Sequence, residues 1–478
     1  MKKVFLLPLL LVLVSCRTYG SITISSQTSS AFLRSITDNS VNQSGLADKK
    51  FAAAGLLKQP FLTDNIFDLA TGLIVLPDKK LVLAGYTGDP IAGRWKIALV
   101  RYYSTGQLDR SFGFQGSVVH QFSDLLYDQI NTVIAQSDGA LLVGGETRSG
   151  GIGQYKFLLA RYTSAGVLDT SYGQGGKVNQ PFLGTGLYDE INTVCLQPNN
   201  YTVVIGYSRD AGGQKIALAR YTSSGVLDPA FGSAGTLLQS FLGDQHVDTG
   251  VAGQVCSDGT ILVAGTSSDG GVGQIKCVVA RYTAAGVLVS SFGRAGVTLQ
   301  PCVGTGNHDE ITCMAVQPDG SIVVGGFSFD GGGQKALLIR YTSNGALDLT
   351  FGVGGIMKQP FLGAGVTTDL INALAIQPDG KFIVAGATED GGGNHYFLAR
   401  YQTNGVLDPL FGVAGVVKSP FIGDGAGDEL HDVVLSPDGG LLASGYTQDE
   451  GGSKMFLIRA INAIDFSYYR GQLGGFYG

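Results

Sequence analysis

A repeat restricts the fold of this chain more than any other feature. An aromatic residue, followed by glycine in most copies, returns about every 60 residues. It is found at Phe51, Phe112, Tyr172, Phe231, Phe292, Phe351 and Phe411. Units of this length stack on one another because a single unit cannot bury its own apolar faces. The 478 residues are therefore expected to form one repeat architecture rather than about three separate domains.

Each copy contains four apolar segments separated by turn sequences, which we name D, A, B and C in chain order. In residues 351–410, Pro378, Asp379 and Gly380 join segment A to segment B. Asp-Gly between apolar segments predicts a hairpin, so neighbouring strands should run antiparallel. Segment D carries a proline near its end in several copies, at Pro60, Pro181, Pro301, Pro360 and Pro420. Because proline is tolerated at sheet edges, strand D should be the outer strand and strand A the inner one.

Segment A has apolar residues on both faces, as at Ile371, Leu374 and Ile376. A sheet of this kind needs a second sheet against each face, and radial packing supplies both. One repeat is split between the termini, because the last copy loses the pattern after Arg459 and residues 44–51 are its continuation. We therefore predict an all-β, seven-bladed β-propeller with four antiparallel strands per blade. The outer strand in residues 52–62 should join the C-terminal blade and close the ring.

Two sequence elements carry a family resemblance. The patterns R-Y-T-x-x-G-x-L-D-x-x-F-G and x-Q-P-D-G-x-x-x-V-x-G resemble the bacterial delta-60 repeat, which is similar in appearance to NHL-type propeller repeats. The resemblance covers residues 44–462 and implies a propeller-like fold without an assigned chemistry. The chain departs from the pattern at Val289, where aspartate is expected, and at Cys302, and these departures concern local packing.

The N-terminus has the pattern of an export signal. Lys2 and Lys3 precede an apolar run in residues 4–14, and the sequence ending at Cys16 resembles a bacterial lipobox. We expect Cys16 to be lipidated, with cleavage after Gly20 as the alternative. The expected domains are an export signal with lipobox in residues 1–16, a Ser/Thr-rich linker in 17–43, the propeller in 44–462 and an aromatic and glycine-rich tail in 463–478. The expected location is the cell envelope, with a lipid anchor as the only membrane contact, and secretion is the alternative.

An aspartate opens segment A in every copy. These residues are Asp68, Asp128, Asp189, Asp248, Asp309, Asp369 and Asp428. A ring of carboxylates at one mouth of a channel would attract a cation or an amine. The alternative, which we prefer, is that each aspartate accepts backbone N–H bonds in its own D–A turn. His246, His308 and His431 lie within three residues of such aspartates and complete the candidate ligand-binding set, but their spread over separate copies favours neither a metal site nor a cofactor.

An arginine lies inside the apolar segment C of each copy. These residues are Arg101, Arg161, Arg220, Arg281, Arg340, Arg400 and Arg459. A buried guanidinium needs a carboxylate, since an uncompensated charge costs several kcal/mol. The candidate partners are the segment-A aspartates or a later set, Asp48, Asp109, Asp169, Asp228, Asp348 and Asp408. Arg281 tests this choice because its late position holds Val289, and Arg340 is expected within hydrogen-bond reach of a carboxylate.

Charge and motifs restrict the function. The net charge of −6 argues against nucleic acid as a partner, and the chain has no G-x-S-x-G, Walker or H-E-x-x-H motif. No catalytic residue is therefore predicted. The D–A and B–C loops should emerge at one end, where the sequence varies most between copies. We expect a non-enzymatic binding or scaffolding module that recognises protein or glycan through this end. A metal-dependent lyase or hydrolase with a site at the channel mouth is the alternative.

Overall fold

The structure is a computed structural model that describes most of the repeat region. The described residues are 45–58, 67–89, 94–123, 127–148, 154–178, 188–210, 213–242, 247–268, 275–301, 303, 308–330, 333–359, 367–389, 393–418, 422, 427–449 and 452–461. All of them belong to one unit, residues 44–478. The expected export signal with Cys16, the linker, His246 and the C-terminal tail lie outside the described residues.

The fold is all-β and propeller-like, and its strands follow the repeat. The A strands are β2 (Phe67–Val75), β6 (Asp128–Ala135), β10 (Tyr188–Leu196), β14 (Val247–Val255), β18 (Asp309–Val316), β22 (Thr367–Ile376) and β26 (Asp428–Leu435). The B strands are β3 (Leu81–Asp89), β7 (Leu141–Arg148), β11 (Thr202–Asp210), β15 (Ile261–Ser268), β19 (Ile322–Asp330), β23 (Phe382–Glu389) and β27 (Leu441–Asp449).

The remaining strands complete each four-stranded group. The C strands are β4 (Arg94–Tyr102), β8 (Tyr155–Tyr162), β12 (Gly213–Tyr221), β16 (Ile275–Tyr282), β20 (Gly333–Tyr341), β24 (Asn394–Tyr401) and β28 (Gly452–Ala460). The D strands are β1 (Leu56–Lys58), β5 (Ser117–His120), β9 (Lys177–Val178), β13 (Thr236–Gln239), β17 (Val297–Gln300), β21 (Ile356–Gln359) and β25 (Val416–Lys418). A short 3-10 turn spans Pro198–Asn200.

Asp-Gly turns join the A and B strands in five of the seven groups, as the sequence predicts. In the β6–β7 hairpin, Gly139 has a φ of +82°, a region that glycine enters without a steric penalty. The Asp138 carboxylate accepts the backbone N–H of Ala140 at 2.9 Å. The turn thus reverses the chain and satisfies its own polar groups, and A, B and C pair antiparallel in every group.

Each D strand pairs with the C strand of a group and lies at its outer edge, as predicted. Short parallel pairings join some neighbouring groups into larger sheets, for example Tyr155 of β8 with Tyr188 of β10. The N-terminal β1 pairs antiparallel with β28, with Leu56 opposite Ile458. The strand that begins the repeat region and the strand that ends it therefore share one sheet.

A β-bulge interrupts every A strand at the same point, for example between Ile371 and Ala373 of β22. In several groups the side chain inside the bulge reaches the next group. Thr71 Oγ1 donates to the Ile130 carbonyl at 2.7 Å, and Asn372 Nδ2 donates to the Leu430 carbonyl at 2.9 Å. The bulge therefore turns a strand residue into a tie between neighbouring groups.

The core lies between neighbouring groups rather than inside one. One apolar cluster combines Leu73 and Leu83 of the first group with Met455 and Leu457 of the last strand. The repeat aromatics are all buried, with Phe51 only 1% exposed. Apolar residues on both faces of each sheet are thus covered by two neighbours, as expected of sheets packed face to face.

The segment-C arginines are paired with carboxylates. Arg340 Nε donates to Asp348 Oδ2 at 2.8 Å, which confirms the prediction for this residue. Its Nη1 donates to the Thr403 carbonyl of the next repeat, and its Cζ lies 4.9 Å from the centre of the Phe351 ring. The guanidinium therefore connects its own turn, the repeat aromatic and the following repeat.

The structure shows which aspartates bind the segment-C arginines. Arg101 and Arg220 each donate to a late aspartate at 2.8 Å. Arg281, which faces Val289, instead donates from Nη2 to Asp258 in the A–B turn at 2.6 Å. Arg161 bonds the equivalent Asp138 at the same distance. The A–B turn aspartates form a third partner set that the sequence interpretation did not consider.

Cys195, Cys256, Cys277 and Cys313 are free thiols, and three of them are buried. They pack as small residues in the apolar clusters. Within the described part of the chain, no helix has the length and apolar character needed to cross a bilayer.

Candidate functional site

Strand direction places two kinds of connection at opposite ends of the molecule. The D–A and B–C connections meet at one end, which we call the loop end. The A–B and C–D connections meet at the other, which we call the turn end. At the loop end, the residue after each repeated aspartate lies opposite a residue of strand B. These pairs are Leu69–Tyr86, Gln129–Glu146, Glu190–Tyr207, Thr249–Thr266, Glu310–Phe327, Leu370–Ala387 and Glu429–Tyr446. One backbone position thus presents different chemistry in each repeat.

The repeated aspartates lie at the loop end with no exposed surface. This holds for Asp68, Asp128, Asp189, Asp248, Asp309, Asp369 and Asp428, each 0% exposed. Asp128 accepts the backbone N–H of Phe122 at 2.6 Å and the Thr147 hydroxyl at 2.5 Å. Asp309 and Asp428 accept N–H bonds from their own D–A segments at 2.6 Å. These bonds are the ones expected of a local turn role.

The two candidate histidines that the structure describes belong to different repeats, and each lies beside a glutamate. His308 Nε2 lies 2.8 Å from Glu310 Oε1, and His431 Nε2 lies 3.6 Å from Glu429 Oε1. Among the described residues, no group of three or more His, Cys, Asp or Glu side chains is placed to hold a metal ion.

The structure brings together a set of residues that the sequence interpretation missed, which we call the aromatic–carboxylate cluster. Its members are partly exposed aromatic side chains and two glutamates at the loop end. They are Phe67, Tyr86, Trp95, Tyr127, Tyr155, Tyr188, Tyr207, Tyr446, Glu146 and Glu190. The cluster occupies one sector of the loop end, formed by the last group and the first three.

The rings contact one another in sequence around this sector. The centre of the Tyr155 ring lies 5.2 Å from that of Tyr127 and 4.6 Å from that of Tyr188. Tyr188 stacks on Tyr207 at 5.7 Å. Trp95 lies 5.4 Å from both Phe67 and Tyr86. Such separations are typical of favourable aromatic pairs, so the rings hold one another in place.

Two glutamates lie among these rings in different environments. Glu190 accepts bonds from the Tyr207 hydroxyl at 2.5 Å and from Asn131 Nδ2 at 2.8 Å. Glu146 is only 3% exposed, and the hydroxyls of Tyr188 and Tyr127 lie near its carboxylate. Burial, reinforced by repulsion from Glu190, raises the pKa of Glu146 to about 8.

Glu429 shows the opposite balance at the edge of this sector. Burial disfavours its charge, but the nearby His431 and hydrogen bonds from Asn372 and Tyr446 hold its pKa below the usual value. The Tyr446 hydroxyl donates at 3.1 Å and Asn372 Nδ2 at 2.9 Å. A fully partnered carboxylate stays charged, whereas Glu146 lacks such a set of donors.

A signal for part of the cluster is present in the sequence. Aromatic residues directly precede the repeated aspartate in three consecutive copies, at Phe67, Tyr127 and Tyr188. The other described copies have Val247, His308, Thr368 and Gly427 at this position. Comparison of the copies with one another would have indicated this sector.

Comparison with protein families gives matches along the repeat. A family model described as "Domain of unknown function (DUF5122) beta-propeller" matches residues 76–112, 136–172, 197–231, 256–292, 317–351 and 377–411. The chain is a β-propeller repeat protein. A second model, "WD domain, G-beta repeat", matches residues 300–332. The described strands and these matches agree on the fold.

Solved structures with similar folds have low sequence identity to the chain. A polysaccharide lyase, Uly1, is 13% identical with a TM-score of 0.48, over 90% of this chain and 98% of its own. Chaetomium thermophilum Sqt1, bound to the N-terminus of ribosomal protein L10, is 16% identical with a TM-score of 0.38, over 84% and 85%. Trypanosoma rangeli sialidase is 9% identical with a TM-score of 0.37, over 87% of this chain and 57% of its own. No curated protein matches the chain.

Proposed function

We propose that this protein is an exported binding or scaffolding module of the cell envelope, and that it recognises a protein or glycan ligand through the loop end. The aromatic–carboxylate cluster carries the proposal. Partly exposed Tyr and Trp rings provide large contact area at little entropic cost, and carboxylates fix the orientation of polar ligand groups. Its combination of several tyrosines, a tryptophan and two glutamates occurs in one sector of the described loop end, as a ligand site requires and a repeated structural feature does not.

The proposed architecture is a closed ring of seven blades, with β1 completing the last one. Three sets of contacts support closure. The strand β1 pairs with β28, and the Asp432 carboxylate of the last group accepts the Leu73 N–H of the first at 2.7 Å. Arg459 binds Asp48 at 3.0 Å and the Ser104 carbonyl at 3.3 Å. Each A strand also contacts the A strand of the next group, and β26 contacts β2.

The binding proposal is tested with the exported protein on a panel of cell-envelope glycans and proteins. Trp95→Ala and Tyr155→Ala should each weaken binding of a captured ligand about tenfold, the loss expected for a central aromatic contact. The matched control is Phe114→Ala, because Phe114 is an aromatic residue of the turn end that is 80% exposed. Equal losses for all three variants, or no loss for the cluster variants, would contradict the proposal.

The proposed envelope location rests on the sequence around Cys16. Cys16→Ser should leave the fold unchanged and move the protein from the membrane fraction to the soluble fraction. Membrane fractionation of the unchanged and substituted proteins checks this, and continued membrane association of the variant would contradict lipidation.

A second candidate function is catalysis in the same sector. One observation favours it: Glu146 has a pKa of about 8 and lies near another carboxylate, Glu190. A carboxyl that stays protonated near neutral pH beside a second carboxylate is the arrangement of a general acid. Hydrolysis of an envelope glycan that Glu146→Gln abolishes would establish this function, and binding without turnover would exclude it for that glycan.

A further inference from the structure

We propose that the aromatic–carboxylate cluster binds a primary ammonium group, with Glu146 as its anion and Tyr127, Tyr155 and Tyr188 as its walls. This inference rests on the proposed function, since it names the chemical group that the same end of the molecule recognises.

Glu146 Oε2 is buried and accepts no hydrogen bond from any described residue. The side chain is only 3% exposed, so bulk water does not replace the missing donor. A buried carboxylate oxygen without a donor costs free energy, and such atoms in native proteins call for an explanation. A bound group that brings its own N–H donors supplies one.

The surroundings of Glu146 suit a cation. The Tyr127 and Tyr188 hydroxyls lie near the Glu146 carboxylate, and Tyr155 touches both rings, at 5.2 Å and 4.6 Å. Aromatic faces attract cations through their quadrupole, and Tyr155 already faces one, the Arg148 guanidinium at 5.9 Å. Arg148 is the positive charge that a ligand would meet here, while Glu190 adds a second negative charge.

The two neighbouring glutamates disfavour an anion and favour an amine. Repulsion from Glu190 and burial both oppose ionisation of Glu146, so a positive ligand would relieve the conflict and a negative one would increase it. A primary ammonium group has three N–H donors, whereas a quaternary one has none for Oε2. The unpartnered oxygen therefore selects the primary amine.

Binding of an ammonium group should also release a proton. The titratable groups around Glu146 are Glu190, Tyr86, Tyr127, Tyr188 and Tyr207, and burial raises the pKa of all four tyrosines. Near neutral pH, Glu146 is therefore the group that gives up its proton when the cation arrives. A neutral ligand of the same shape would release none.

Calorimetric titration of the full exported protein with n-butylammonium chloride tests the inference. Saturable binding is expected, with about one proton released per amine near pH 6.5, measured in two buffers of different ionisation enthalpy. 1-Butanol and tetramethylammonium should bind at least about tenfold more weakly, because they lack the charge or the N–H donors. Equal binding of 1-butanol would overturn the inference.

Variants locate the site. Glu146→Gln and Tyr155→Leu should each weaken butylammonium binding at least about tenfold, while Glu310→Gln, a loop-end glutamate outside the cluster, should not. Thermal melting of each variant shows that it is folded, and two independent cluster variants guard against misfolding of one. Unchanged butylammonium binding by both cluster variants would overturn the inference. Calcium binding that Glu146→Gln abolishes would overturn it as well.

The outcomes also separate this inference from the proposed function. If a ligand captured on the panel depends on Trp95 but not on Glu146, the ammonium site is wrong and the proposed function stands. If butylammonium binds as described and no envelope ligand requires the loop end, the ammonium site stands and the proposed function is wrong. Lysine amide and glucosamine then distinguish a protein amine from a glycan amine as the natural source.

Discussion

The turn end and the loop end are built from the same strands, yet they differ in chemistry. At the turn end, the same contacts return from repeat to repeat: Arg101, Arg220 and Arg340 each donate Nε to an aspartate at 2.8 Å. At the loop end, one position of strand B is Tyr86, Glu146 or Thr266 in different repeats. Contacts that return in several repeats hold the groups together, whereas side chains that differ between repeats are free to serve a ligand.

Carboxylates at the two ends show this difference in their pKa values. Burial opposes the charge of Asp109 at the turn end, but bonds from Ser111 and Lys80 and the charge of Arg101 hold its pKa well below the usual range. Burial and Glu190 raise the pKa of Glu146 at the loop end to about 8. The first carboxylate is stabilised as an anion by its surroundings and the second is not. Substitutions at the two ends should therefore have different consequences for stability.

The largest effect is expected from removal of the N-terminal strand. Deletion of residues 44–62 takes away β1, which pairs with β28, and Asp48, which binds Arg459. The free energy of unfolding should fall on the order of 5 kcal/mol, above the range of ordinary point substitutions. Deletion of residues 21–40 is the control and should cost little. Urea denaturation of both truncated proteins checks the difference, and equal midpoints would refute ring closure.

An intermediate effect is expected from the arginine pairs. Asp348→Val gives the Arg340 repeat the arrangement that Val289 gives the Arg281 repeat. Because Arg281 uses Asp258 of the A–B turn at 2.6 Å, Arg340 should turn to the equivalent Asp319. The free energy of unfolding should therefore fall by only about 1–2 kcal/mol.

A double variant separates the two partners. Removing Asp348 and Asp319 together leaves Arg340, which is only 7% exposed, without a carboxylate partner. The free energy of unfolding should then fall by about 4 kcal/mol. Thermal unfolding of the two single variants and the double variant gives the coupling energy. Strictly additive losses would show that Asp319 does not replace Asp348.

The turn end could be predicted from the sequence because its chemistry is local and repeated. The Asp-Gly turn, the outer D strand, the need of Arg340 for a carboxylate and the pairing of the first strand with the last all follow from the register of one repeat. The A–B turn aspartates were overlooked as arginine partners because the choice between two carboxylates depends on side-chain reach across a turn, which sequence spacing does not give.

The loop end could not be predicted in the same way. Glu146 belongs to strand B and Tyr188 to the A strand of the next group, so only packing between groups brings them together. The bulge between Ile130 and Thr132 also shifts the alternation of side chains along strand A. Simple counting from the Asp-Gly turn therefore assigns the residues beyond it to the wrong face.

The smallest and most informative effect is expected at Glu146. A carboxyl whose pKa is raised in the folded state holds its proton longer than in the unfolded chain, so its contribution to stability is lost as the pH rises from about 4.5 to about 8. The buried Asp432, with a pKa raised to about 7, acts in the same direction, whereas His120, whose pKa burial lowers, acts in the opposite direction.

Glu146→Gln keeps the shape of the side chain and removes this titration. Relative to the unchanged protein, the variant should gain stability between pH 5 and pH 9, because the cost of a buried charge disappears. Asp348→Asn at the turn end should instead destabilise the protein at both pH values, since Arg340 loses its anion. Urea denaturation at the two pH values measures both differences. A Glu146→Gln variant that is destabilised equally at pH 5 and pH 9 would place Glu146 with the structural carboxylates of the turn end and remove the contrast between the ends.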